Sequence, residues 1–194
     1  MLFDDSLSNV VSLYFVRCKY FLCLPPLGHL PFPKTLNIQR LDRIVSIDSS
    51  FHGSSSSSFT SLETLEFYCL KEWEERECRA VRGAFPHLQR LCIVECPKLK
   101  GPLIPEQLLC LKILPIFNCK QLVASAPRAL EICELELQDC GKVQFEYHLT
   151  TLKRFVTKGQ SMEASPLEMI GHIISNTSLE SLGIYSCDPF IQFP

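Results

Sequence analysis

Apolar residues recur along this chain at a spacing that one strand cannot account for. In LQRLCIVECPKL (residues 88–99) Leu88, Leu91 and Ile93 occupy the first, fourth and sixth places, Cys96 the ninth and Leu99 the twelfth. Leu91 and Ile93 alternate about Cys92, as in a strand with one buried face, because side chains two apart in a strand point the same way. The pattern returns as Val10, Leu13, Phe15 and Cys18; as Leu62, Leu65, Phe67 and Leu70; and as Leu111, Leu114, Ile116 and Cys119, with Leu122 completing the unit. Ile132, Leu135, Leu137 and Cys140 follow, with Val143, and Leu179, Leu182, Ile184 and Cys187 form the last copy. Two copies are damaged. Pro33 opens one (Leu36, Ile38, Leu41), and the other (Leu152, Phe155, Thr157) lacks its third apolar group and has Gln160 at the ninth place.

These units start near 10, 33, 62, 88, 111, 132, 152 and 179, a mean interval of about 24 residues, inside the roughly 20–29 residue period of leucine-rich repeats. One repeat cannot hide its own apolar edge, since a few inward side chains worth about 1.5–3 kcal/mol each do not offset the ordering entropy of two dozen residues. Stacked repeats can. The expected fold is therefore an α/β solenoid, a leucine-rich-repeat horseshoe of about eight repeats over residues 1–194. Its concave side is a parallel sheet and its convex side is irregular, 3₁₀ or short-helical.

The return segments vary. SFHGSSSSSF (50–59) reads as a mobile surface loop, because its serine run has nothing to pack with. KEWEERE (71–77) is expected to tuck Trp73 under a convex turn. SPLEMIGHIISN (165–176) is the best helix candidate, with Ser165 as cap, Pro166 at the first helical position and Glu168 completing a capping box. Pro115 within a strand removes a ladder donor and Pro33 replaces an apolar anchor, so irregular pairing is expected at both. Cysteine at the ninth place is read as a small buried group whose S–H donates weakly to the turn backbone.

A binding role would lie on the outward strand positions. Along the stack these are Tyr14, Val16 and Arg17; Lys34, Asn37 and Arg40; Glu63, Glu66 and Tyr68; Arg90, Cys92 and Glu95; Lys112, Pro115 and Phe117. They continue with Glu134, Glu136 and Asp139; Lys153, Arg154 and Lys158; and Ser181 and Tyr185. Charge alternates by unit, which suits a protein partner of mixed charge better than a polyanion, and exposed aromatics are common anchors of protein contacts. Equally, Glu134 and Arg154 can simply face each other across neighbouring strands.

Composition narrows the alternatives. A net charge of −2, from 19 basic and 21 acidic residues, supplies no field for nucleic acid or anionic lipid. No apolar run approaches the roughly 20 residues of a membrane span. The start, MLFDDSLSN, carries acid where a secretory signal would carry base. Eleven cysteines would suggest disulfides in a secreted chain, but the count is odd and Cys18, Cys96, Cys119, Cys140 and Cys187 share one repeat position, which points to a reducing compartment. No zinc-type pairing of cysteines or histidines occurs, and Cys92 and Cys96 should point to opposite faces. His87 is the one histidine near a cysteine, Cys92, in sequence, without an oxyanion signature beside it. Gly141 and Lys142 lack the rest of a phosphate loop. The sequon at Asn176 stands alone. The chain is expected to be no enzyme and to hold no metal or cofactor.

Four stretches go beyond a generic repeat: CLPPLGHLP (23–31), SFTSLETLEFYCLKEWEE (58–75), FPHLQRLCIVECPKLKGPLIPEQL (85–108) and ISNTSLESLGIYSC (174–187). Through LPPLG, KEWEE and CPKLKG the chain resembles the leucine-rich-repeat region of plant coiled-coil nucleotide-binding leucine-rich-repeat (CC-NB-LRR) disease-resistance proteins. The resemblance implies a cytoplasmic immune receptor. Its repeats would help recognise a pathogen effector or a guarded host protein and would restrain a nucleotide-binding switch. ADP or ATP would sit on that switch domain, upstream of the repeats, so the chain reads as a fragment of a longer receptor. Uncapped ends would make it poorly soluble when produced alone. Two other readings share the sequence: the substrate-binding repeats of a ubiquitin-ligase adaptor, for which no F-box-type segment is visible, and a degenerate fragment without activity.

Overall fold

The computed structural model describes residues 9–47, 49–52, 58–74, 83–101, 107–145, 148–159 and 178–185. Ten strands form within them: β1 (Ser12–Val16), β2 (Thr35–Gln39), β3 (Thr64–Tyr68), β4 (Arg90–Val94), β5 (Ile113–Phe117), β6 (Val123–Ser125), β7 (Glu134–Gln138), β8 (Lys142–Gln144), β9 (Arg154–Lys158) and β10 (Ser181–Tyr185). Eight of them make one sheet in the order β1-β2-β3-β4-β5-β7-β9-β10, and every neighbouring pair is parallel. Strands that follow one another in chain order and all run the same way require each return segment to pass over the far side, which is the winding of a solenoid.

Register preserves repeat position. Leu13 pairs with Leu36, Leu36 with Leu65 and Leu65 with Leu91, and beyond β5 the row continues through Leu114, Leu135 and Phe155. Phe15, Ile38, Phe67 and Ile93 make the next inward row, extended by Ile116, Leu137 and Thr157. From β2 to β9 both rows are buried. At the two edge strands Leu13 and Phe15 are only half-buried and Leu182 is exposed, because each lacks a described neighbour on one side. The weakened copy at Leu152 forms a full strand nonetheless, paired along its length with β7 and β10, and buried Thr157 takes the place of the missing apolar group.

Proline acts differently at its two sites. Ile113 N–H donates to Gln89 O across to β4, and Pro115, two residues on and so facing the same neighbour, has no N–H to give. The pairings of Leu91 with Leu114 and Cys92 with Pro115 are accordingly missing, while β5 stays in full register with β7. Pairing at Pro33 is regular, contrary to expectation. Pro33 precedes β2, fills the anchor position as a buried residue, and leaves the ladder donors to Lys34 and Thr35, whose N–H groups reach Val11 O.

After each main-sheet strand from β1 to β9 the chain takes a left-handed residue. Arg17, Arg40, Cys69, Glu95, Asn118 and Asp139 have φ of 48–56°, and Gly159 holds the same place at 107°. This corrects the expectation that Arg17, Arg40, Glu95 and Asp139 lie on outward strand positions: they sit in the turn that leaves the sheet. A left-handed residue costs a non-glycine about 1–2 kcal/mol, offset by one more rung of the ladder, for each of these N–H groups bonds the last strand carbonyl of the next turn, as Arg40 does to Tyr68 O at 2.9 Å and Asn118 to Gln138 O at 2.8 Å.

The ninth position follows. Cys96, Cys119 and Cys140 are buried, and each thiol donates to the carbonyl two residues back: Val94 O at 3.5 Å, Phe117 O at 3.3 Å and Gln138 O at 3.1 Å. Cys140 also reaches Ile116 O in the preceding turn at 2.9 Å. Cys18 makes the same local bond but is only half-buried, at the β1 edge. Every described cysteine is a free thiol. Cys187 and the helix candidate at 165–176 lie outside the described residues.

On the convex side a 3₁₀ turn spans Leu27–His29 and a short helix, α1, spans Ser49–His52. A Cβ added to Gly28, the glycine of LPPLG, would collide with the His52 carbonyl, which explains why the motif ends in a residue without a side chain. Most of the serine run expected to be mobile surface, residues 54–57, lies outside the described residues, while the flanks of that segment are core. Phe51, His52, Ser58 and Phe59 are buried, and the Phe59 ring stacks on Phe85 with centroids 4.8 Å apart. Trp73 is buried against Phe67, with ring centroids 4.9 Å apart, in keeping with its expected place. β6 and β8 pair as a second small parallel sheet, an element the sequence pattern did not announce.

Candidate protein-contact surface

The outward face of the main sheet is built from the third, fifth and seventh repeat positions. Alternation along each strand turns these side chains away from the leucine rows, and register sets them side by side. One row runs Arg90, Ile113, Glu134, Arg154. The next places Tyr14, Asn37, Glu66 and Cys92 over β1 to β4, then Pro115, Glu136 and Val156 over β5 to β9. The third includes Tyr68, Val94, Phe117, Gln138, Lys158 and Tyr185.

Among the predicted residues, the structure gathers Glu66, Tyr68, Arg90, Phe117, Glu134, Glu136 and Arg154 on the middle strands. Tyr14 and Tyr185 stand on opposite edge strands and are exposed, so one compact contact cannot use both. Arg17, Arg40 and Asp139 belong to the turns beside the face. Lys153 lies just before β9 and pairs with Glu180 at 3.3 Å, as Lys34 pairs with Glu63 at 2.8 Å near the other end. Glu134 and Arg154 are register neighbours, as expected for residues facing each other across strands.

Several of these groups hold one another in place. Glu66 accepts from Asn37 Nδ2 at 2.9 Å and lies 3.5 Å from Arg90 Nε. The buried Cys92 thiol donates to the Tyr68 hydroxyl at 3.4 Å. Burial, and then that thiol contact, push the Tyr68 phenol far above its ordinary value, so it stays neutral. Burial also pushes the Cys92 thiol up, the reverse of what a cysteine nucleophile requires. His87 is exposed in the turn before β4. Beside the face, Cys69 donates to Glu95 Oε2 at 3.0 Å. Among the described residues no three His, Cys, Asp or Glu side chains are grouped to hold a metal ion, and no helix is long and apolar enough to cross a membrane.

A shallow depression of about 120 Å³ lies on this face, lined by residues of β4, β5, β7 and β9. Its floor is the outward side of β5: Ile113, Pro115 and Phe117. Ile113 was missed as a site residue, although stepping back by two from Phe117 through Pro115 reaches it.

Parallel strands advancing one per turn, interior rows of leucine and isoleucine, and a broad polar outer face define a leucine-rich-repeat solenoid. The chain is 39% identical over 125 residues to RPP13-like protein 1 of Arabidopsis thaliana, named for disease resistance, a match covering 60% of this chain and 12% of that protein. It is 33% identical over 102 residues to a second Arabidopsis thaliana protein of disease-resistance name, with 50% and 7% covered, and 29% identical over 100 residues to disease resistance protein RGA4 of Solanum bulbocastanum, with 50% and 10% covered. The resemblance to plant disease-resistance proteins is thus plain, and the chain spans about an eighth or less of the length of these relatives. No family model matches it, and no solved structure does.

Proposed function

We propose that this chain is the non-catalytic protein-interaction part of a plant immune receptor of the cytoplasm. In this reading the whole chain is one array of about eight repeats within a longer receptor. It contributes to recognition of a pathogen effector or a guarded host protein, and to restraint of a nucleotide-binding switch elsewhere in the parent protein. ADP or ATP belongs to that switch domain and not to these repeats. One observation carries the reading: a broad sheet face of mixed charge, with neutral Tyr68 and half-buried Phe117 among carboxylates and guanidinium groups, on a chain whose relatives are disease-resistance proteins. Such a face offers aromatic anchors inside a polar rim, the composition of protein contacts.

The test is capture of a nucleotide-binding domain from a coiled-coil nucleotide-binding disease-resistance protein by the full 194-residue chain. Wild type is expected to retain it, and Glu134→Lys and Lys153→Glu to release it. Equal capture by all three would remove this charged patch from the contact with the switch.

A further inference from the structure

The middle of the outer face is unlike the rest of it. β5 presents Ile113, Pro115 and Phe117 outward, three apolar residues in succession, where its neighbours present Arg90, Cys92 and Val94 on one side and Glu134, Glu136 and Gln138 on the other. The charges around this floor are not equally satisfied. Arg90 and Arg154 both border the depression, and Arg90 has Glu66 as a partner, 3.5 Å off. Glu134 has Arg154 beside it in register. Glu136 has no cation in its row, with Pro115 on one side and Val156 on the other. It is half-buried. No hydrogen bond or ion pair from its carboxylate is made among the described residues.

A carboxylate beside apolar surface, without a counter-charge of its own, is complementary to a side chain that is apolar along its length and cationic at its tip. Resting on the reading of this face as a protein-contact surface, we propose that Glu136 and the β5 floor receive one arginine or lysine of the partner protein. The methylene stem of that residue lies over Ile113 and Pro115, beside the Phe117 ring, and its charged head reaches Glu136. Desolvation by the rest of the contact strengthens the pair. The depression, about 120 Å³, is of the size of one long side chain, so the partner is recognised here by a single basic residue set among apolar ones. Arg154, on the far side of Glu134, disfavours a second cation alongside.

The experiment selects peptides from a displayed random library on the intact 194-residue chain and measures each synthesised peptide against wild type, Glu136→Gln, Glu136→Lys and Lys158→Glu, with circular dichroism to confirm that each variant is folded. The expected result is enrichment of arginine or lysine next to an apolar residue. Affinity should fall by about 10-fold or more in Glu136→Gln, which keeps shape and removes charge, and further in Glu136→Lys. Selected peptides that respond to Lys158→Glu but not to Glu136→Gln would overturn this assignment and leave the contact face standing. A selection yielding no peptide sensitive to any of these substitutions would overturn both. Self-association of the chain that Glu136→Gln abolishes would give the depression to a second copy and overturn the assignment as well.

Discussion

Two stretches of the same interior solve one packing problem differently. In the second and third turns the ninth repeat position holds Leu41 and Leu70, and the space behind them is filled by Ile44 and Trp73 and, toward the convex side, by Phe51, Phe59 and Phe85. In the fourth to sixth turns that position holds Cys96, Cys119 and Cys140, whose thiols bond the carbonyls where strands end, and a small second sheet stands where the aromatic groups stood. The first solution gains from apolar area and dispersion. The second gains less from area and adds a weak second bond at carbonyls that already accept the N–H of the preceding turn's exit residue. A repeat position is thus a volume that a large apolar group can close by area or a thiol can close with a further bond to the turn, and either can choose the residue.

Substitution separates the two solutions most sharply at Trp73. Trp73→Ala empties the aromatic half and should cost about 3–5 kcal/mol, read as a fall in the urea midpoint. Loss of less than 1 kcal/mol would mean that the aromatic packing contributes little. At the ninth position itself, Leu70→Ala should cost about 2–5 kcal/mol, whereas Cys119→Ala, which deletes mainly one hydrogen bond, should cost about 0.5–1.5 kcal/mol. Equal costs would erase the distinction between the halves.

Alkaline titration probes the thiol half alone. Burial, and the charge of neighbouring Cys119, push the Cys140 thiol up to about 12 from 9.0, and its contact with Cys96 and burial push Cys119 up as well. Because the folded state holds these protons more tightly than the unfolded chain, their contribution is complete below about pH 9 and is lost as pH rises toward about 12. Cys140→Ala should flatten that alkaline limb, and an unchanged limb in denaturant titrations from pH 8 to 11 would refute the assignment. The smallest effect is kinetic. Iodoacetamide at neutral pH should label exposed Cys23 and spare Cys96, Cys119 and Cys140, and early labelling of those three, mapped by mass spectrometry, would place them in water.

Repeat spacing made much of this legible. Leucine and isoleucine at the fourth and sixth places can share a face only in a strand, and successive copies can be buried together only if the strands stack in order, so the sheet and its register follow from positions such as Leu65, Leu91 and Leu114. The ninth-position thiols were legible for the same reason. The missed features involve partners distant in sequence. Gly28 is required by the His52 carbonyl. Phe59 and Phe85 are buried because they stack on each other, and a run of serines beside Phe59 concealed that. Arg17, Arg40 and Asp139 have the composition of an outward strand face, but backbone twist at the sheet exit puts them at positive φ.

What the amino-acid order determined by itself was therefore the periodic part: which side chains go inward, which strands neighbour one another, and where cysteine replaces leucine. Tertiary structure alone decided which outward charges find partners. Arg90 is drawn to Glu66 and Glu136 is left between Pro115 and Val156, because an ion pair depends on distances between turns about 24 residues apart, while hydrophobic periodicity depends only on neighbours within one turn.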